Sequence, residues 1–464
     1  MPEENHRYDW PLAHPAEALL RSYVRSFLEA NSFARALATR MREETGTDFF
    51  EWLDHLVLPA EHEPELLSAG LRREGLDATS DYVCLAHPRA TLPRVLLSSS
   101  KKSPIAFALR PEHVGDFRAR HNLTANLSGE PYSRYRTLEV HRENGTMLQA
   151  VERLAYDGFM PGPLEGEALR SLLKTRELWH SRPRMLRTDE EGFEIARRTL
   201  EQSLALVGPN VSCYFCFESE RAYWQSRNRA ARLQKHRQDR LGLGWGNHDH
   251  HTFRCSREHF VDLIEILGAL GFQRRERYYA GAEAGWGAQI LEHPVNGIVV
   301  FADVDLQPEE TAIDFSSRRL PPAQQLGTVG LWVGLHGESF LEAGMHHLEA
   351  RFEFELLQEQ LGTLGITTMK PFSDFEFLRQ AFTEGERWPV RKERAESLYA
   401  RGLLTRKQCE RFIQEGALGS HLENLQRHGG FKGFNQKSVS AIIAATDPRH
   451  SGMPPAGVTG AAET

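Results

Sequence analysis

The chain lacks any run of about 18 apolar residues, the length a bilayer span needs, and its opening MPEENHRYDWPLAHP lacks the basic-then-apolar order of a secretory signal. Both absences lead us to expect a cytoplasmic protein with no membrane partner. Excess positive charge is also missing. The formal net charge is -7, so nucleic acid, which favours a basic surface, is not an expected partner. Cysteine is sparse, and five in 464 residues make no disulfide framework. Cys213 and Cys216 in CYFC have the spacing of half a zinc site, but no second pair follows. A half-buried strand carrying two small apolar thiols is expected there.

What is present is globular: 40% apolar and 26% charged residues, in a chain long enough for two or three domains. Across residues 1–160, short apolar stretches (WLDHLVLP, DYVCLAHP, RVLLSSS, IAFALRP, YRTLEVHR) are broken by turn residues and predict an N-terminal α+β domain, a candidate metal-free module. Residues 161–245 are rich in helix formers and read as a largely helical connector. Its basic run SRNRAARLQKHRQDR reads as the solvated face of a helix. Residues 447–464 read as a disordered tail.

Between the connector and the tail, residues 246–446 carry the most legible pattern. GWGNHDHHTFRC gathers three histidines and an aspartate into four positions and predicts a strand. Ser256 can cap a helix in which Phe260, Leu263, Ile264, Leu267 and Leu270 form one apolar stripe, and Gly271 stands where it would stop. Three more strands are expected in RRERYYA, WGAQILEH and GIVVFADVDL, the last two joined across Asn296-Gly297. This strand, helix, strand, strand, strand unit then recurs. HHLEARFEFELLQEQLGTLGI (346–366) echoes HHTFRCSREHFVDLIEILGALGF, with a histidine pair, a nearby arginine, an amphipathic stretch and a Leu-Gly ending.

Strand side chains alternate between faces, so His248, His250, Thr252 and Arg254 share one face. His347 and Arg351 repeat the interval of His250 and Arg254. Two related units can thus bring one histidine each to a shared seam, where imidazole is the usual nitrogen ligand for iron, zinc, copper or nickel. A carboxylate would complete the two-histidine, one-carboxylate face that ferrous oxygenases use. In AFTEGERW, Phe382, Glu384 and Glu386 would share a strand face, and either glutamate is a candidate, as is a solvent-facing pair at a turn around Gly385. Arg254 could clamp a substrate carboxylate, or pair with Asp249 or another acid at the surface.

These units resemble the vicinal oxygen chelate superfamily, whose paired modules wrap a metal. More narrowly, His250-x-x-x-Arg254, LGALGFQRRERYY, the second histidine segment, FTEGER and the late SVSAII resemble the 2-oxoadipate dioxygenase/decarboxylase (hydroxyglutarate synthase) family over roughly residues 246–445. The resemblance implies paired metal-binding modules in an α+β fold, with Fe(II) held by His250, His347 and Glu384 rather than Glu386. It also implies that Arg254 is the catalytic arginine holding the substrate carboxylate, with Val439 and Ser440 lining the substrate pocket. The expected activity is oxidative decarboxylation and hydroxylation of a 2-oxoacid with O2. The alternatives are a divalent-metal isomerase or lyase of the same fold and a non-catalytic binding protein.

Overall fold

The computed structural model describes residues 10–75, 82–100, 103–281, 284–435 and 447–449. Val439, Ser440 and most of the expected tail lie outside the described residues. The chain opens with two amphipathic helices, α1 (His14–Ala30) and α2 (Ser32–Thr45), the second capped by the Asn31 side chain on the Ala34 amide. A first sheet then forms from β1 (Leu53–Pro59), β2 (Arg72–Glu74), β3 (Tyr82–Ala86), β4 (Arg94–Ser98), β5 (Ile105–Leu109), β6 (Leu127–Ser128), β7 (Tyr135–Glu143) and β8 (Thr146–Arg153), with α3 (Glu63–Ser68) and α4 (Val114–Arg120) between them. Its strand order is β2-β3-β4-β1-β5-β8-β7-β6.

Helices α5 (Gly166–His180), α6 (Asp189–Ser226) and α7 (Arg229–Asp239) lead to the second sheet. Gly208, at φ +73°, interrupts α6, and Pro209 restarts it where a missing N–H costs little. The strand expected around Cys213 and Cys216 is instead the interior of α6, where both thiols are fully buried. A four-residue apolar run does not distinguish strand from helix; Phe215 and Phe217 extend the buried surface to helical length.

The second sheet contains β9 (His248–Arg254), β10 (Gln273–Tyr279), β11 (Trp286–Glu292), β12 (Val299–Asp305), β13 (His347–Arg351), β14 (Ser373–Phe375), β15 (Leu378–Phe382) and β18 (His421–Arg427), in the order β10-β11-β12-β9-β13-β18-β15-β14. Helix α8 (Phe260–Ala269) buries Phe260, Leu263, Ile264 and Leu267 as its stripe predicts, and Gly271 ends the segment at φ +97°. Between β12 and β13 runs α9 (Thr328–His336), and α10 (Phe354–Thr363) follows β13. Between β15 and β18 the chain inserts β16 (Arg387–Trp388), α11 (Lys392–Ala400), α12 (Arg406–Glu415) and β17 (Ala417–Leu418).

Each sheet is built by one rule. A first strand pairs parallel with the last strand of its own unit (β1 with β4, β5 with β8, β9 with β12, β13 with β18), and two units join through antiparallel first strands (β1 with β5, β9 with β13). The strand-helix-three-strand unit therefore occurs four times. This is the α+β architecture of paired modules that the sequence resemblance implies, and it rests here on strand order. Leu348 sits fully buried where β9, β13 and β18 meet. Leu348→Ala should cost about 2–5 kcal/mol of stability, read as a lowered urea midpoint for the C-terminal transition.

Candidate metal centre

Strand β9 places His251 and Phe253 against the Phe217 ring of α6, at 5.1 and 6.0 Å between centroids. Its opposite face carries Thr252 and Arg254 into a cavity of about 70 Å3, several times what one water needs. Phe301, also in the cavity wall, covers the His250 ring at 4.8 Å. His250 is 2% exposed, and its Nδ1 lies 2.5 Å from both Asp249 Oδ1 and Glu349 Oε2. Asp249 also accepts from Arg351 Nε at 2.7 Å and Arg427 Nη2 at 3.2 Å.

From β13, His347 and Glu349 alternate onto the cavity face, and the parallel register with β18 sets Glu349 beside Glu423. His347 Nε2 is 3.1 Å from Glu423 Oε2. Gln380 of β15 donates to Glu349 Oε1 at 2.9 Å and Glu423 Oε1 at 3.1 Å. His250, Glu349, Gln380, Glu423 and His347 thus form one buried chain of contacts across three neighbouring strands and β15.

Burial sets the electrostatics. It lowers the His347 pKa well below the usual value, and His421 and Arg254 push the same way, so this imidazole is neutral at neutral pH. For His250 burial again pulls down, but Asp249 and Glu349 outweigh it and raise the pKa. Burial would raise the Asp249 carboxyl, yet Arg427 and His250 hold it well below the carboxylate range. Glu423 goes the other way: burial and then the neighbouring Glu349 raise it well above its ordinary value. A neutral imidazole beside two adjacent buried carboxyls is a donor set that suits a divalent cation, which would relieve their repulsion. Among the described residues, Asp249, His250 and Glu349 have ligand atoms within 4.8 Å of one another. Asp249 is already committed to two guanidiniums, which leaves Glu349 and Glu423 as the carboxyls available to a metal, with His250 and His347.

The pairing of β9 with β13 thus draws His250 and His347 into the same cluster. Glu384 stands apart from it. That side chain is exposed, and its backbone amide donates to Thr367 O at 2.8 Å. Strand β15 stops at Phe382 and β16 begins only at Arg387, so the alternation assumed through AFTEGERW is broken before Glu384. Glu386 is partly exposed, 3.7 Å from Arg232. The carboxyls beside His347 come from Glu349 and Glu423 instead. Both were open to detection, each standing two residues beyond a histidine on its strand, in His347-Leu-Glu349 and His421-Leu-Glu423.

Arg254 is 2% exposed, and among the described residues its Nε and Nη1 have no hydrogen-bond partner. The Trp332 ring lies 5.7 Å from its Cζ. No ion pair joins it to Asp249, whose partners are Arg351, Arg427 and His250. Opposite it in register on β12 is Asp303, also buried in the cavity wall. Burial lowers the Arg254 pKa to about 10 and raises that of Asp303 to about 7 against the pull of Arg254.

No family model matches the chain, and no curated protein does. Solved structures do. A triple mutant of 4-hydroxymandelate synthase from Streptomyces coelicolor is 13% identical, with a TM-score of 0.29, over 86% of this chain and 98% of that one. A xylose isomerase-like TIM barrel/4-hydroxyphenylpyruvate dioxygenase fusion protein is 11% identical, with a TM-score of 0.25, over 93% and 58%. Methylmalonyl-CoA epimerase from Mycobacterium tuberculosis is 12% identical, with a TM-score of 0.22, over 39% and 88%. These superpositions are loose, and the fold assignment stands on the strand order given above. No helix among the described residues is long and apolar enough to cross a membrane.

Asp303 carries a signed pH dependence. Its folded pKa, about 7, lies above the ordinary 3.8, so no stability is lost to its ionisation below the unfolded value, and stability falls from there as pH rises through about 7. Asp303→Asn in the metal-free chain should therefore gain stability over wild type progressively between pH 4 and 7, then hold level. Thermal unfolding across that range checks this, and a gain confined to acid pH would contradict it.

Proposed function

We propose that the protein is a non-haem Fe(II) dioxygenase that decarboxylates and hydroxylates a 2-oxoacid, with a 2-oxoadipate-like molecule as the substrate to try first. The observation that carries this reading is the coexistence, around one cavity, of His347, Glu349 and Glu423 with the Arg254 guanidinium, two of whose N–H groups have no partner among the described residues, while His250 joins the cluster through Glu349. His250, His347 and Glu423 are the proposed ligands, with Glu349 bridging His250 to the cluster; among the described residues the ligand atoms of Asp249, His250 and Glu349 alone already lie within 4.8 Å of one another, so His347 and Glu423 would have to draw toward His250 around a bound ion. Bound there, ferrous iron would supply the Lewis acidity and O2 chemistry that the side chains lack.

The chain's own groups supply the rest. Arg254 receives the substrate carboxylate in a two-pronged contact, which takes up one of its orphan donors and fixes the substrate's orientation. Tyr278, Trp286, Phe372, Phe382 and Phe434 wall the cavity and exclude bulk water. The buried imidazole of His347 stays neutral and so keeps a lone pair for a metal.

A second reading, a divalent-metal isomerase or lyase that does not use O2, draws on Asp303. A carboxyl that titrates near 7 in the cavity is suited to moving a proton to or from a bound substrate. The two readings separate in one assay. The chain is loaded anaerobically with Fe(II), mixed with a panel of 2-oxoacids, and followed for O2 uptake and CO2 release. Equimolar uptake and release support the dioxygenase; turnover without O2 supports the second reading; no turnover of any oxoacid with iron bound removes the first. His250→Ala should lose stoichiometric iron while Glu384→Ala keeps it. Arg254→Met should raise KM by about 10–100-fold, the value of a charge-assisted pair, with iron content unchanged.

A further inference from the structure

A second polar cavity lies where the ends of the two sheets face each other. From the N-terminal sheet, Arg94 opens β4 and Arg110 follows β5. Both strands flank β1, where His55 has Arg94 on one side and Ala108 on the other. The Arg110 amide donates to Trp52 O at 2.8 Å, fixing that arginine at the same end. From the C-terminal sheet come His248 at the start of β9, Arg351 at the end of β13 and Arg427 at the end of β18. The antiparallel β9/β13 and parallel β13/β18 pairings bring these three to one end. The space between is a cleft of about 420 Å3, the size that holds a small metabolite.

Most of the guanidiniums in this cleft are committed. Arg153 makes two hydrogen bonds to Asp54, at 2.7 and 2.8 Å. Arg351 is held by Asp249 and Glu51, Arg427 by Asp249, and Arg275 by Glu276. Arg94 and Arg110 differ. Among the described residues neither forms an ion pair or a side-chain hydrogen bond, and Arg94 has only the Phe159 ring, 4.5 Å from its Cζ. His248 adds a buried Nδ1 that has no hydrogen-bond partner among the described residues at the same place. Partly buried guanidiniums normally find acceptors, and here two neighbours share a cavity without one. Burial, and then the like charges of Arg153 and Arg94, lower the Arg110 pKa, while Asp54 opposes them.

We propose that this cleft binds a small polyanion, a phosphorylated or multiply carboxylated metabolite, clamped between Arg94 and Arg110. The guanidinium fork is built for such oxygens, and the polar walls from Thr91 and Asn296 suit a hydrated headgroup better than an apolar ligand. The cleft does not include Arg254, although Asp249 and His250 of the candidate centre form part of its wall, and its ligand needs no metal.

The test is calorimetric titration of the full-length, metal-free chain with inorganic phosphate, pyrophosphate and citrate at low and high ionic strength. One saturable site per chain, weakened by salt, is expected. Arg94→Gln and Arg110→Gln should each weaken it by about 10–100-fold. Exposed Arg318→Gln should leave it unchanged. Pyrophosphate binding more tightly than citrate identifies a phosphorylated ligand, and the reverse order a polycarboxylate. Absence of saturable binding by all three probes overturns the proposal, as does equal binding by the Arg94→Gln, Arg110→Gln double variant. Should a glutamine variant misfold, Arg110→Lys keeps the charge and should retain weaker binding; unaltered affinity there and in Arg94→Lys also counts against the clamp.

Discussion

The antiparallel pairing of β9 with β13 is the constraint on which the candidate centre depends. Leu348 opposes His251 and His347 opposes Thr252, and the register then shifts before Ala350 meets His248. The extra residue lies in the stretch that holds Asp249 and His250, and it is there that Glu349 reaches His250 Nδ1. A regular ladder keeps strict alternation, whereas a bulge re-aims side chains and places neighbours on one side. Asp249 and His250, adjacent in sequence, can thus share a contact that a flat strand would send to opposite faces.

Such a seam buries ionisable groups that would be costly alone. Asp249 keeps its charge because Arg427, Arg351 and His250 converge on it. Glu423 has no arginine of its own to match them, and burial with Glu349 for a neighbour drives it toward the neutral form. The structure therefore contains one carboxylate, Asp249, whose charge is neutralised by protein and another, Glu423, whose charge is not. Replacing one partner in a fully paired buried network leaves the other stranded, whereas a buried carboxyl without a cationic partner is a place where a bound cation would restore the balance. The distinction separates the positioning role of Asp249 from the ligand roles proposed for Glu423 and His347.

Much of this was legible in the sequence, and the failures have physical causes. Alternation along HDHHTFR puts Thr252 and Arg254 together on the cavity face, whereas the bulge turns His248 against His251 and away from the face expected for it, and the repeated histidine pair marks β13. The expectation at Glu384 rests on an alternation carried past Phe382, where the strand ends. The carboxyl that the structure places beside His347, Glu423, lies beyond β16, α11, α12 and β17, and no local periodicity spans such an insertion. Cys213 and Cys216 were misread for a different reason: a short apolar run carries no period. The pairing inside the N-terminal sheet was hidden as well, since β2 and β6 are only three and two residues long and offer too few positions to alternate.

That N-terminal sheet supplies the control the C-terminal one needs. Asp54 and His55 on β1 stand as Asp249 and His250 stand on β9, with Arg153 at the end of β8 taking the place of Arg427 at the end of β18. The imidazole is again held by its neighbouring carboxylate, His55 Nδ1 lying 2.7 Å from Asp54 Oδ2, and that carboxylate again by an arginine. Across the central pair, however, Ala108 faces His55 and Ala106 faces Val57, where the second sheet has Glu349 near His250 and His347 opposite Thr252. An aspartate, a histidine and an arginine are therefore what this architecture uses to order its first strand, whatever the cavity contains. What sets the second sheet apart is the imidazole and the carboxyl contributed by the facing strand, so the capacity for metal chemistry is to be sought in His347, Glu349 and Glu423 more than in the histidine-rich strand that first draws the eye.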